Sequence, residues 1–290
     1  MPKQTIVISS PADLSLHNNQ ISIKVHDCKK DTIFRPIEDI RTVLIDNHSA
    51  HITIPLINAL ADNNIAVIIC NERHIPNTML MDLESNSLQT KSFRAQLEAS
   101  VPLKKQIWKQ IVEAKIRNQS SLLDNLGYSP AYLKKYYDNV KSGDSTNREG
   151  AAAKEYWKKV FGTDFIRDRY APAPNNLLNY GYALLRASVA RALMNSGLLP
   201  SIGVFHKNYF NSFPLADDVM EPYRPFIDAK VIQLHNRGIS QLDKHIKYEL
   251  IELFYQSITE SDLSTTTSSL SKIYCGENRY IIYPSLKTIQ

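Results

Sequence analysis

The pattern of apolar and polar positions changes character once along the chain. Up to about residue 73 it is a pattern of strands. Residues 4–9 are dense in β-branched side chains, and residues 20–26 set Ile21, Ile23 and Val25 against polar neighbours, the two-residue period of a half-buried strand. Residues 14–19 predict a short strand and a turn, 33–35 a short strand, and 42–46 and 65–70 buried ones. Between the last two, Thr53 can cap a short helix that takes Pro55 in its first turn and sets Leu56, Ala59 and Leu60 on one face. Residues 1–73 are therefore expected to form a small β-rich domain with a single helix, and 74–90, rich in Asn and poor in repeating apolar positions, a linker.

From residue 91 the period becomes helical. Phe93, Leu97, Val101, Ile107, Trp108, Ile111 and Ile116 recur among lysines and arginines, with Pro102 expected to kink or break the run. Short helices are predicted at 122–126 and 131–140, longer ones from Thr146 to Val160 and from Asn175 to near Gly197, and a last helical region at 223–235 and 241–258. The Ser/Thr-rich stretch 261–271 reads as flexible, and 279–283 as a short terminal strand. The expected fold class is α+β, with residues 91–290 forming a larger all-α catalytic domain.

Composition narrows the function classes. At 290 residues and 43% hydrophobic, the chain can fill about two domain cores, and wholesale disorder is not expected. The net charge of +5 is unevenly placed: residues 1–73 hold seven Lys/Arg against eight Asp/Glu, whereas 91–169 hold sixteen against nine. A nucleic-acid surface is therefore expected mainly outside the N-terminal part. The cysteines, Cys28, Cys70 and Cys275, are odd in number and far apart, which fits a reducing compartment rather than a disulfide framework or zinc ribbon. With no signal-like N-terminal run and no apolar run approaching the ~18 residues of a span, a soluble cytoplasmic protein is expected.

The chemistry-bearing residues fall in a few segments. Glu149 follows Thr146 at capping-box spacing, and a capping role alone would explain it. Gly150 follows within the predicted helix, where glycine costs roughly 1 kcal/mol against alanine, and with Ala151 to Ala153 it admits a close approach of backbone or phosphate. His206 ends the apolar run from Ile202 and is followed by Asp217, Asp218 and Glu221, spaced to share a helix face. Imidazole and carboxylates together are ligands for a catalytic divalent metal. Their bland alternatives are a hydrogen-bonded core histidine and a solvated acidic turn. Pro222 disfavours helical backbone at Glu221, which places that residue at a helix junction. Lys207, Arg224, Arg186 and Arg191 supply cations near these segments, the last two more simply read as helix-surface residues. There is no Walker loop and no GxSxG motif.

Taken together, Arg148-Glu149-Gly150-Ala151-Ala152, Asn176-Leu177-Leu178-Asn179-Tyr180-Gly181-Tyr182, Gly203-Val204-Phe205-His206-Lys207-Asn208, Leu215-Ala216-Asp217-Asp218 and Glu221-Pro222-Tyr223-Arg224-Pro225 resemble the CRISPR-associated adaptation integrase (Cas1) family, over most of the chain from Thr5 to about Lys230. The last motif looks most like the type II branch, found beside a single large RNA-guided effector nuclease. The resemblance implies an N-terminal β domain, a helical catalytic domain and a homodimer. It implies Mg²⁺ or Mn²⁺ held by a glutamate, a histidine and a second acid, which match Glu149, His206 and Glu221, with Asp217 and Asp218 as alternative or supporting groups. The implied activity is metal-dependent integration of short duplex DNA into a repeat array by attack of a 3′-hydroxyl, with endonuclease activity when water takes its place. The implied partner is the small ferredoxin-like adaptation subunit, Cas2. The rival readings are a non-catalytic DNA-binding scaffold subunit and a metal hydrolase of small phosphoesters.

Overall fold

The computed structural model describes residues 4–26, 31–80, 86–206 and 208–286. The chain divides into two compact units, Met1–Leu83 and Glu84–Gln290. The architecture is the expected α+β: strands first, then helices.

The first unit carries strands β1 (Gln4–Ile8), β2 (Ala12–His17), β3 (Gln20–Val25), β4 (Ile33–Pro36), β5 (Ile40–Ile45), β6 (His51–Ile52), β7 (Ala66–Cys70) and β8 (Pro76–Met79), with helix α1 (Ile54–Asp62) between β6 and β7. They form two four-stranded sheets, ordered β1-β5-β7-β8 and β4-β3-β2-β6. The β2–β3 turn uses Asn18 and Asn19, both at positive φ, which asparagine tolerates better than most residues. One core joins the sheets and the helix: Leu14, Ile21 and Ile23 meet Val43, Ile45 and Val67 with Leu56 and Leu60. The strict alternation in β3 is the visible cause, since Ile21 and Ile23 point inward while Lys24 is exposed. Thr53 stands at the cap position of α1, but its side chain makes no cap bond; its carbonyl accepts from the Leu56 and Ile57 amides instead. The tract read as a linker contains β8, which pairs antiparallel with β7 through Ile68↔Met79 and Ile69↔Thr78. It carries little apolar pattern because it is an edge strand, half exposed along its length.

The second unit is helical: α2 (Gln89–Leu97), α3 (Val101–Asn125), α4 (Lys134–Tyr137), α5 (Arg148–Phe161), α6 (Asn175–Asn195), α7 (Pro214–Met220), α8 (Arg224–Asn236), α9 (Lys244–Gln256) and α10 (Glu260–Tyr274). Pro102 starts α3 rather than kinking it, because Ser100 caps the helix through the Leu103 amide and the proline sits where no amide partner is needed. The short helix expected at 122–126 is the last turn of this same 25-residue helix. The stretch expected to be flexible, 261–271, is inside α10. Thr259 and Asp262 form a capping box, and Leu263, Thr266, Thr267, Leu270 and Ile273 make a buried face. Its hydroxyls find protein partners in place of water: Thr267 meets Ser196 at 2.7 Å, and Thr266 meets Tyr223 at 2.6 Å. No strand forms at 279–283; side chains supply the pairing there, with Gln110 accepting from the Ile281 amide and Ser269 from the Ile282 amide. Among the described residues no helix is long and apolar enough to cross a membrane.

Candidate active site

Helix α3 contributes the central group. Its buried face runs Trp108, Ile111, Val112, Lys115, Ile116, Gln119, so that a lysine occupies a position the helical period assigns to the core. The Lys115 Nζ lies 2.6 Å from Glu149 Oε1 and 2.5 Å from Glu221 Oε2. Burial alone would lower the Lys115 ammonium, but Glu221 and Glu149 outweigh it and hold the group above its ordinary value. Among the described residues Glu221 Oε2 is buried with no partner other than that ammonium, while Oε1 takes Arg224 Nη2 at 2.9 Å. Burial would raise the Glu221 carboxyl; the charges of Arg224 and Lys115 more than offset this and lower it.

Glu149 reaches the site from the first turn of α5. The Thr146–Glu149 capping box does not form. Asn147 is the cap, accepting from the Gly150 amide at 3.1 Å, and Asp144 accepts from the Arg148 and Glu149 amides at 2.8 and 3.0 Å. With the helix end satisfied by Asn147 and Asp144, the Glu149 carboxylate is released from capping. The close approach that Gly150 permits is to its own cap: an added Cβ would stand 2.7 Å from Asn147 Oδ1.

His206 arrives on the loop before α7, and buried Asp218 of α7 organises that loop. Asp218 accepts from the Val204, Phe205 and His206 amides at 2.6, 3.0 and 3.3 Å, and its Oδ1 lies 2.6 Å from His206 Nδ1. Gly203 makes the wrap possible, since an added Cβ would meet the His206 carbonyl oxygen at 2.5 Å. Trp108 fixes the loop from α3, stacking on Phe205 at 4.2 Å and meeting His206 edge-on at 5.9 Å. The Asp218 hydrogen bond raises the His206 imidazole against the opposing effect of its burial, and Glu221 is near enough to add to the rise. With Nδ1 engaged, Nε2 is the ring nitrogen left for a proton or a cation.

The three acids downstream of His206 thus have three separate tasks. Asp218 holds the His206 loop and Glu221 faces Lys115. Asp217 turns to Arg186 Nε at 2.7 Å and to Asn211 at 2.7 Å. Arg186, read from sequence as a surface residue, is a half-buried clamp that ties α6 to Asp217 of α7 and to Asn211 of the loop before it. Arg191 is half-buried on α6. Glu221 does stand at a junction, but in helical conformation, because a 3-10 turn (Glu221–Tyr223) carries the chain from α7 into α8 without a break. Lys207 and Cys28 lie outside the described residues.

These residues occupy the segment matched by the family model described as "CRISPR associated protein Cas1", which spans residues 5–255. The chain belongs to the Cas1 family. Over 278 residues it is 38% identical to the CRISPR-associated endonuclease Cas1 of Neisseria meningitidis serogroup C, covering 94% of this chain and 90% of that one. A Francisella tularensis subsp. novicida Cas1 is 23% identical over 95% of the chain and 90% of its own length. Among solved structures, a casposase bound to its integration product superposes with a TM-score of 0.81 at 20% identity, covering 100% of this chain and 96% of that one. A Cas1 protein from Thermotoga maritima superposes with a TM-score of 0.73 at 17% identity, covering 97% of this chain and all of the other. At such identities the two structures speak for the fold.

Within this Cas1 fold, Glu149 and Glu221 converge on one point, and His206 lies near enough to Glu221 for each to feel the other's charge. The trio is not closed into a ligand set, because the carboxylates close on Lys115. The donor set fits a hard divalent cation nonetheless: two carboxylates and one imidazole, one carboxylate oxygen lacking any donor but an ammonium, and a positive charge already standing between them. Lys115 is the site residue the sequence reading passed over as one basic residue of a basic helix.

Proposed function

We propose that the protein is a metal-dependent DNA integrase and endonuclease of CRISPR spacer acquisition, acting at Glu149, His206 and Glu221. The observation that carries this reading is the convergence of Glu149 and Glu221 on a single cationic point, with His206 near enough to Glu221 to feel its charge. Family membership supports it, as does the relative in Neisseria meningitidis that bears the name endonuclease. Glu149, His206 and Glu221 would hold Mg²⁺ or Mn²⁺, which supplies charge stabilisation at the scissile phosphate when bound.

The chain's own groups then take the remaining tasks. His206, oriented through Nδ1 by Asp218, exchanges a proton at Nε2 with the attacking or leaving oxygen. Lys115, displaced from between the carboxylates, is positioned to neutralise a non-bridging phosphate oxygen, and Arg224 keeps Glu221 ionised. The 3′-hydroxyl of a captured duplex is the nucleophile for integration, and water in its place gives nicking. Exposed Lys105, Arg117, Lys134, Lys135, Lys141, Lys154 and Arg169 offer phosphate contacts without base readout. Tyr209 and Phe210, fully exposed just after His206, offer aromatic faces for unpaired bases. The partners of this reading are duplex fragments, repeat-array DNA, a second copy of the chain and Cas2; one neighbouring fold belongs to a Cas6-RT-Cas1–Cas2 complex.

The test is strand transfer of a short 3′-hydroxyl duplex into a supercoiled plasmid carrying repeat DNA, with Cas2 and Mn²⁺. Covalent joining by the wild type and its loss in Glu149→Ala and His206→Ala, with dimerisation intact, is the expected result. Joining at wild-type rate by either variant overturns the site. Duplex binding without reaction in Mg²⁺ and Mn²⁺ favours the scaffold reading.

A further inference from the structure

The N-terminal unit holds a second convergence of ligand-type side chains. Strand register creates it. Asp13 of β2 lies directly across from His51 of β6, and across from Lys24 of β3 on its other side. His26 follows two residues after Lys24 and so returns to the same exposed face, its amide bonded to the Pro11 carbonyl at 2.9 Å. The result is a carboxylate flanked by two imidazoles. His51 Nδ1 lies 3.0 Å from Asp13 Oδ1, and His26 Nε2 lies 3.0 Å from Asp13 Oδ2. The two rings are 6.0 Å apart at 43°. Among the described residues, this is the group of three whose ligand atoms all lie within 4.8 Å of one another.

We propose that Asp13, His26 and His51 bind a late first-row divalent cation, Zn²⁺ by preference, as a clip across β3, β2 and β6. The spacing suits it: with ligand bonds of roughly 2.0–2.1 Å, tetrahedral neighbours stand about 3.3 Å apart, and both carboxylate–imidazole separations are already 3.0 Å. The chemistry selects the ion. A single carboxylate with Lys24 on the same face offers little net negative charge, so a hard ion such as Mg²⁺ or Ca²⁺ gains little. Two imidazoles are the ligands that Zn²⁺, Ni²⁺ and Cu²⁺ favour. Exposure of Asp13 and His51 leaves the remaining coordination position to water. The structural gain falls on β6, which has two residues and pairs with β2 at two positions.

The experiment uses full-length, chelator-stripped protein in the Glu149→Gln/His206→Asn background, which removes competing ligands at the active site. Equilibrium dialysis against Zn²⁺ is expected to give one bound equivalent. Adding His51→Gln, or separately His26→Gln, should weaken that binding by about tenfold or more, with the circular dichroism spectrum unchanged. Zn²⁺ should also slow amide exchange at Ile52 and Thr53 in the background protein and leave it unaltered once His51 is replaced. Equal Zn²⁺ affinity with and without both imidazoles overturns the proposal, as does a background protein that retains no Zn²⁺. Because two of the three proposed active-site ligands are absent throughout and the readout is Zn²⁺ binding at His26 and His51, the outcome is independent of the integrase reading.

Discussion

Asp218 and His206 are joined at 2.6 Å, and the same carboxylate accepts from three consecutive backbone amides of the loop that carries the histidine. One wholly buried acid thus sets both the path of the loop and the tautomer of its imidazole. Replacement by asparagine keeps the shape, but one of its two terminal atoms can no longer accept. Asp218→Asn is expected to lower strand transfer by about 10–100-fold, the range typical of groups that orient a ligand. Nuclear magnetic resonance of the His206 ring checks the cause: the imidazole should titrate at lower pH in the variant than in wild type. An unchanged ring titration would mean that Asp218 serves the loop alone.

Lys115 stands where two carboxylates need a positive charge, so its removal separates the structural need from the catalytic one. Lys115→Met leaves Glu221 buried with Arg224 only, and breaking a buried pair from one side costs about 3 kcal/mol. Melting in EDTA should show that loss. Added Mn²⁺ should raise the melting temperature of Lys115→Met more than that of wild type, since in the variant the cation enters a site with no ammonium to displace. Equal Mn²⁺ shifts in the two proteins would place the cation elsewhere.

How far the sequence led depended on whether a residue's task is local. The strands of the first unit follow from alternation that a reader can see, as in Ile21, Ile23 and Val25. β8 escaped because an edge strand needs no apolar pattern, and α10 because its buried face is built from threonines that bond across helices rather than from leucines alone. The His206 and Glu221 segments stood out by residue type, yet spacing along α7 suggested that Asp217, Asp218 and Glu221 act together. Their separation depends on partners 14 to 106 residues distant, such as Arg186, the Val204 amide and Lys115, and no local rule contains these. Lys115 did leave a trace: it lies at helical spacing from Trp108, Ile111 and Gln119, on a face otherwise buried.

The basic surface of the second unit should bind duplex DNA through phosphates. Affinity for two unrelated duplexes is expected to be equal and to fall with salt at a slope of about 0.9 per phosphate contacted. Lys134→Glu with Lys135→Glu, both exposed, should lessen that slope while leaving the fold intact. Fluorescence anisotropy between low and physiological salt measures this. A flat response, or a preference for one sequence, would remove the phosphate-tracking role from this face.

Asp228 carries the clearest pH signature of the fold. It is buried, accepts from Tyr156 at 2.8 Å and from Tyr182, and has its carboxyl pushed up to about 6 by burial, against the lowering effect of those bonds. The native state therefore holds the proton more tightly than the unfolded chain, where the acid titrates near 3.8. Stability from this group is fully present below the unfolded value and is lost as pH rises through about 6, an effect on the order of 3 kcal/mol. Asp228→Asn imitates the protonated acid, accepting from one tyrosine and donating to the other. Chemical denaturation should find the variant equal to wild type near pH 4 and progressively more stable than wild type up to pH 6–7. A difference that stays constant across that window would show that the two tyrosines keep Asp228 ionised in the folded protein. They would then act as stabilisers of a buried charge rather than as partners of a neutral acid.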